Sequence, residues 1–147
     1  MGIFSAIAAT TSGLQAQRVR MDVISSNVAN IDTTRDANGQ PYQRKIVRFA
    51  AASQAVPFAQ FLSRLSGQPA TGVVLTQVDV DNVTPYRLAY DPSHQDANAD
   101  GYVQLPNVDL VTEMTDLTSA NRSYQANVTV LNAVKQMALR ALDIASR

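Results

Sequence analysis

The stretch Asp96-Ala97-Asn98-Ala99-Asp100-Gly101 places oxygen-bearing side chains at alternate residues ahead of a glycine, which is the opening half of an EF-hand calcium loop. Such a loop closes on a bidentate carboxylate at its twelfth position, and here that position is Asn107, an amide. No helical pattern precedes Asp96. Asp, Asn and Gly are also the residues that tight turns demand, so the stretch reads as an Asx/Gly turn and not as a cation site.

The remaining inventory of reactive groups is thin. His94 is the only histidine, so a histidine metal cluster or a Ser-His-Asp triad lacks its parts. Glu113 is the only glutamate, and no two carboxylates lie at a spacing that forces them into one pocket for acid/base work. Without cysteine there is no disulfide, thiolate site or sulfur nucleophile. No glycine-rich phosphate loop or GxSxG elbow appears, and Arg44, Lys45 and Arg48 read as a solvated strand face. No catalytic, cofactor-binding or metal-ligating residue is expected, and the chain reads as non-enzymatic.

The elements that must carry the function lie at the two ends. All six prolines fall between Pro41 and Pro106, so long helices are permitted only before and after that span. In the first segment Ile7, Leu14, Met21 and Val28 recur every seven residues, and Ile3, Ile24 and Ile31 take the intervening heptad position, weakened by Thr10 and Gln17. In the last segment Leu110, Met114, Leu117, Tyr124, Val128, Leu131, Ala138 and Leu142 follow alternating steps of three and four, interrupted by Asn121 and Lys135. These patterns predict two long helices pairing as an antiparallel coiled coil. A second stripe, Val130, Val134, Met137, Ala141 and Ile144, widens the apolar face beyond what one partner covers, which points to assembly. Pro106, Asn107 and Asp109 mark the start of the last helix near residue 108. Asn27, Asn30 and Asn127 are expected on solvent, while Asn121 stands where an amide could set register.

Between the helices, Val74, Thr76, Val78 and Val80 alternate with polar residues, as do Tyr86, Leu88 and Tyr90, which predicts a β-hairpin across residues 81–85. A third strand is expected at 42–49, with Val47 and Phe49 on one face. Residues 50–72 fit neither template and read as loop, with a helical turn near Phe58 to Leu65. The fold class is therefore mainly α with a small β part: a helical coiled-coil domain from 1–32 and 107–147, and a central β-rich and loop segment at 33–106.

With 147 residues, twelve basic and twelve acidic, no net charge draws the chain to nucleic acid or an anionic membrane. No apolar run approaches the roughly 20 residues that cross a bilayer, so membrane insertion is not expected. Met1 to Gln17 holds no basic residue and interrupts its apolar stretches with Thr10, Thr11, Ser12 and Gln15, which makes a poor secretory signal peptide.

Ser25-Ser26-Asn27-Val28-Ala29-Asn30-Ile31-Asp32-Thr33-Thr34 resembles the N-terminal signature of the bacterial flagellar rod and hook axial proteins, with Ala29, Asn30, Thr33 and Thr34 carrying it. Three further stretches resemble the proximal-rod members of that family. The first runs from Asp32 through Gly39-Gln40-Pro41-Tyr42-Gln43-Arg44-Lys45 to Phe49, and the second from Asp91-Pro92-Ser93-His94 to Gly101-Tyr102-Val103. The third holds Asn107, Asp109, Glu113 and Met114, then Arg122, Tyr124 and Asn127. Gln95 departs from the pattern, which has proline after the histidine, and residues 50–72 carry little resemblance.

The resemblance implies a structural subunit of the flagellar basal-body rod, assembling into a helical tube that transmits motor torque across the periplasm. Its partners would be further copies of itself, other rod subunits and neighbouring basal-body components. Passage through the flagellar type III export apparatus, without a cleaved signal peptide, is implied as well. The alternatives are another flagellar axial protein, or a coiled-coil adaptor or secreted structural protein, which would share the heptads without needing the signatures. In a lone subunit both terminal helices are expected to fray until neighbours cover them.

Overall fold

A computed structural model describes residues 3–36, 39–52 and 72–145. The elements are α1 (Ile3–Ala29), β1 (Lys45–Ala51), β2 (Val73–Val80), β3 (Arg87–Tyr90), β4 (Tyr102–Leu105) and α2 (Leu110–Ala145). Among the described residues the chain is mainly helical, with 27 residues in α1 and 36 in α2 on either side of the proline-bearing span, and the β part is two small sheets. The helical turn expected near Phe58 to Leu65 lies outside the described residues.

The strand pairing differs from the expected hairpin. β2 pairs with β1, and β3 pairs antiparallel with β4, so 73–80 and 87–90 belong to different sheets. The reason lies at residues 81–84. Asp81 Oδ1 accepts the backbone N–H groups of Val83 and Thr84, and its Oδ2 accepts the Thr84 hydroxyl at 2.8 Å. This Asx turn redirects the chain where a hairpin would have folded it back on β2. β3 instead meets β4, whose four residues are too short to announce themselves by periodicity. In that pair Ala89 and Val103 face each other, with Val103 buried, while Leu88, Tyr90 and Tyr102 are exposed.

The residues divide into two compact units. Unit 1 takes residues 1–18, 49–76 and 121–147, and unit 2 takes 19–48 and 77–120. In unit 1, Gly72 has φ +107° and a Cβ placed on it would lie 2.6 Å from Ser12 Oγ of α1, so only glycine fits. The same hydroxyl accepts the Val73 N–H at 3.0 Å, fastening the start of β2 to α1. Gly13 lets Asn127 approach closely, since a Cβ there would sit 3.1 Å from its Nδ2. In unit 2 the core holds Ile24, Tyr42, Val103, Val108 and Ala120.

α2 begins at Leu110 because Asp109 caps it: Oδ1 accepts the Val111 N–H and Oδ2 the Thr112 hydroxyl at 2.7 Å. Glu113 sits in the first turn, the favourable end of the helix dipole for an anion. α1 closes at Ala29 with a turn through Asp32, and Asn30 Nδ2 donates to the Ser26 carbonyl of its last turn.

Candidate functional site

The most heavily hydrogen-bonded place in unit 2 surrounds Arg44 and Lys45, at the entry to β1. Asn27, in the last turns of α1, is 1% exposed. Its Nδ2 donates to the Lys45 carbonyl at 2.9 Å and to Glu113 Oε2 at 3.2 Å, while its Oδ1 accepts from Tyr42 Oη and the Lys45 N–H, each at 2.9 Å. A side-chain amide offers two donors and two acceptor sites, and all four are used. The expectation that Asn27 faces solvent is therefore corrected: it occupies the core because every polar atom finds a partner there.

Asn107 does the same from the other side. Its Oδ1 accepts the Arg44 N–H at 2.7 Å, and its Nδ2 donates to the carbonyls of Asp81 and Thr84. The Arg44 carbonyl accepts the Asp81 N–H at 2.8 Å. Glu113, also 1% exposed, receives Arg44 Nε at 2.6 Å on Oε1. Arg44 reaches Asp116 more loosely, at 3.7 Å. The trio Arg44, Lys45 and Arg48 is thus not a uniformly solvated face, because Arg44 is the counter-ion of the one glutamate. Arg48 pairs with Asp79, and Lys45 lies over the Tyr42 ring.

The turn at 91–102 spends its oxygens on itself. Asn98 Oδ1 accepts the N–H groups of Asp100 and Tyr102, Asp91 Oδ1 accepts both the Ser93 N–H and hydroxyl, and His94 Nδ1 accepts the Asp96 N–H. Asp96 is held by Arg35 and the Thr34 hydroxyl. Gly101, with φ +80°, supplies the reversal, and a Cβ there would meet Tyr90. Among the described residues no three His, Cys, Asp or Glu side chains converge on a metal position, and no helix is long and apolar enough to cross a membrane.

The signature residues fall mostly on these structural joints. Thr33 donates to Asn30 Oδ1 and its carbonyl takes the Tyr42 N–H, Thr34 reaches Asp96, and Asp109 caps α2. Ala29, Met114 and Arg122 are exposed, and Tyr124 and Asn127 half-buried.

Of the heptad positions, Ile24 is buried, and Ile7, Leu14, Met21, Val28 and Ile31 are half-buried. On α2, Leu117, Tyr124, Val128, Leu131 and Ala138 are half-buried, whereas Leu110, Met114 and Leu142 are exposed. The fully buried positions of α2 are Glu113, Ala120 and Val134, each one residue before Met114, Asn121 and Lys135. The covered stripe thus shares Leu117, Tyr124, Leu131 and Ala138 with the expected one but takes its alternate positions one residue earlier. Asn121 and Lys135 are exposed.

Residues 7–35 match the family described as Flagella basal body rod protein, and residues 99–144 match the one described as Flagellar basal body rod FlgEFG protein C-terminal. Both ends of the chain are thus those of flagellar rod proteins. Flagellar basal-body rod protein FlgC of Bacillus subtilis strain 168 is 46% identical over 98% of this chain and 99% of its own length. The FlgC of Borreliella burgdorferi is 44% identical over 98% of each chain, and that of Salmonella typhimurium 43% identical over 90% of each. The chain belongs to the FlgC family of flagellar basal-body rod proteins, and its role is that of a structural rod subunit.

Proposed function

We propose that the subunit works by packing: α1 and α2 pair as an antiparallel coiled coil, residues 1–32 and 107–147 form the helical domain that lines a tube, and 33–106 face outward. Within unit 1 Gly13 of α1 lies against Asn127 of α2, and within unit 2 Asn27 of α1 bonds Glu113 of α2. Both pairs are what an antiparallel register of the two helices requires.

The observation that carries assembly is the outer stripe of α2. Val130, Met137, Leu142 and Ile144 are 49%, 59%, 66% and 78% exposed, although the helix already covers Val134 and half-covers Leu131 and Ala138. An apolar stripe of this extent on a rod protein is a contact surface for further subunits, whether copies or other rod components. The heptad residues Ile7, Leu14, Met21, Val28 and Ile31 then serve the pair or its neighbours, and no catalysis is involved. The tube built this way would carry motor torque across the periplasm, after its subunits pass the flagellar export apparatus.

Met137→Asp tests the reading, because the residue is exposed in the subunit and its change does not disturb the covered stripe. Purified protein should keep wild-type helicity and urea stability, while cells carrying it should build no rod beyond this subunit and should not swim. Lys135→Ser, on an exposed polar position, should leave swimming intact. Normal swimming with Met137→Asp would remove the outer stripe from the assembly surface.

A further inference from the structure

The chain is neutral as a whole, but its charge is divided unevenly. Unit 1 carries six basic residues against one acidic, and unit 2 carries six basic against eleven acidic, so one is five charges positive and the other five negative. Three bases of unit 2 are spent on its own acids: Arg35 on Asp96, Arg44 on Glu113 and Arg48 on Asp79. Asp22 and Asp32 are exposed and stand outside those pairs, as do Arg122 and Arg140 of unit 1.

We propose, resting on the packing just described, that this polarity sets the stagger between copies in the rod. The basic, apolar outer face of α2 in unit 1 of one copy lies against the acidic unit 2 of a second copy.

The outer face of α2 has the make-up of such a contact. Val130, Met137 and Ile144 repeat every seven residues, and Arg122 and Arg140, 18 residues or about five turns apart, share one line along the helix. That line runs about 40–80° around the helix from the apolar stripe, on the side away from the covered Val134. An apolar strip with a charged rim is the anatomy of a protein contact. The helix dipole favours cations only in the last turn, so it does not account for Arg122, well inside α2.

Unit 2 offers the complement on the same two helices. Leu110, Val111 and Met114 are exposed in the first turns of α2, beside Asp116, which Arg44 holds only loosely at 3.7 Å. Asp22 lies on α1 and Asp32 just beyond it. Two copies packed in register would set Arg122 and Arg140 against their own counterparts, which repel; a staggered pair sets them against aspartates. Repeated as a heterologous step, each copy gives its basic side to one neighbour and its acidic side to the other, which extends a helical rod.

Charge reversal in cells tests this in the assembled rod. Arg122→Glu with Arg140→Glu, and separately Asp22→Lys with Asp32→Lys, should each cut the number of rod-bearing basal bodies per cell at least about tenfold. Both sets in one chain, and equally the two altered chains made together in one cell, should recover to within about threefold of wild type. Arg122→Lys with Arg140→Lys keeps the charge and should assemble normally; its failure would show that shape and not charge is read, and would overturn the stagger. Recovery in the combined chain but not in the mixed cells would put the pairing inside one subunit. Recovery in neither would put it on a different rod component, and both results overturn the proposal. Normal assembly in the two reversal sets alongside a loss with Met137→Asp would keep the packing of the outer stripe and remove the stagger. Should a reversed chain be degraded, cross-linking decides, because the chain has no cysteine of its own. Arg122→Cys combined with Asp22→Cys or with Asp32→Cys, treated with a short bis-maleimide in isolated basal bodies, should link copies of this chain in at least one combination, and no single change should. Absence of linked copies from both combinations would overturn the proposal.

Discussion

Glu113 Oε1 lies 2.6 Å from Arg44 Nε while the glutamate side chain is 1% exposed and the arginine 26%. A carboxylate so enclosed is tolerable only because a guanidinium and the Asn27 amide meet it from two sides. Arg44 keeps a path to solvent, so water can partly rehydrate the guanidinium once its partner is removed, and that relief caps the cost of breaking the pair.

Glu113→Ala should destabilise the subunit by about 2–3 kcal/mol, below the larger losses of a fully buried pair. Glu113→Gln, which still accepts from one partner, should cost less. Equilibrium urea unfolding of purified protein measures both, and a loss under about 0.5 kcal/mol for Glu113→Ala would mean the pair is replaceable by water.

Gly72→Ala should cost about 1–2 kcal/mol, because it forces an L side chain into φ +107° and drives a methyl against Ser12 Oγ. Ser12→Ala removes the contact but strips the Val73 N–H of its acceptor. The two changes together should therefore be less destabilising than the sum of the singles, by an interaction energy of about 0.5 kcal/mol or more. Strict additivity in urea unfolding would show that the close approach carries no strain.

Acid should loosen the fold through three aspartates held below their ordinary value of 3.8. For Asp81 the Thr84 N–H is the main cause, followed by the Thr84 hydroxyl; for Asp91 it is the Ser93 hydroxyl, and for Asp109 the Thr112 hydroxyl. A carboxyl that is more acidic folded than unfolded contributes fully above the unfolded value and loses its contribution as pH falls through the folded one. Stability should thus be insensitive to these groups from about pH 5 upward and decline below 3.8. Thermal unfolding at pH 5 and pH 3 should show a smaller drop for Asp81→Asn than for wild type. Equal drops would remove Asp81 from the acid response.

Calcium should find no specific site at 96–107. Asp96 is engaged by Arg35 and Thr34, Asn98 by two backbone N–H groups, and Asn107 is enclosed at 6% exposure with its own partners. Titration calorimetry detecting a stoichiometric site tighter than about 10⁻⁴ M would contradict this assignment.

The two long helices were legible because proline is confined to 41–106 and the ends are periodic. Their covered faces were legible only in part. Hydrophobic periodicity assigns apolar residues to the core, so it passed over Asn27 and Glu113, which are buried because specific partners satisfy them and not because of what they are. Within the subunit the covered positions of α2 are Glu113, Ala120 and Val134, each one residue before Met114, Asn121 and Lys135. Strand existence was readable from alternation, but strand partnership was not. It depends on the Asp81 turn and on Asn107, whose links to Arg44, Asp81 and Thr84 cross tens of residues. Glu113 stood out as the only glutamate and as a signature residue, but neither fact points to its counter-ion, Arg44, which lies just before β1.

The bond between Asn27 and Lys45 runs through the main chain of Lys45, not its side chain. Asn27 consequently reads position 45 blind to its identity, rejecting only proline, which lacks the N–H. Substitution should be lopsided across the pair. Position 45 is open to exchange for almost any residue at the expense of its contact with the Tyr42 ring, whereas position 27 admits no isostere: aspartate lacks the donors, leucine lacks everything polar, and glutamine is a methylene too long. Two residues in direct contact can thus drift at very different speeds as the chain diversifies.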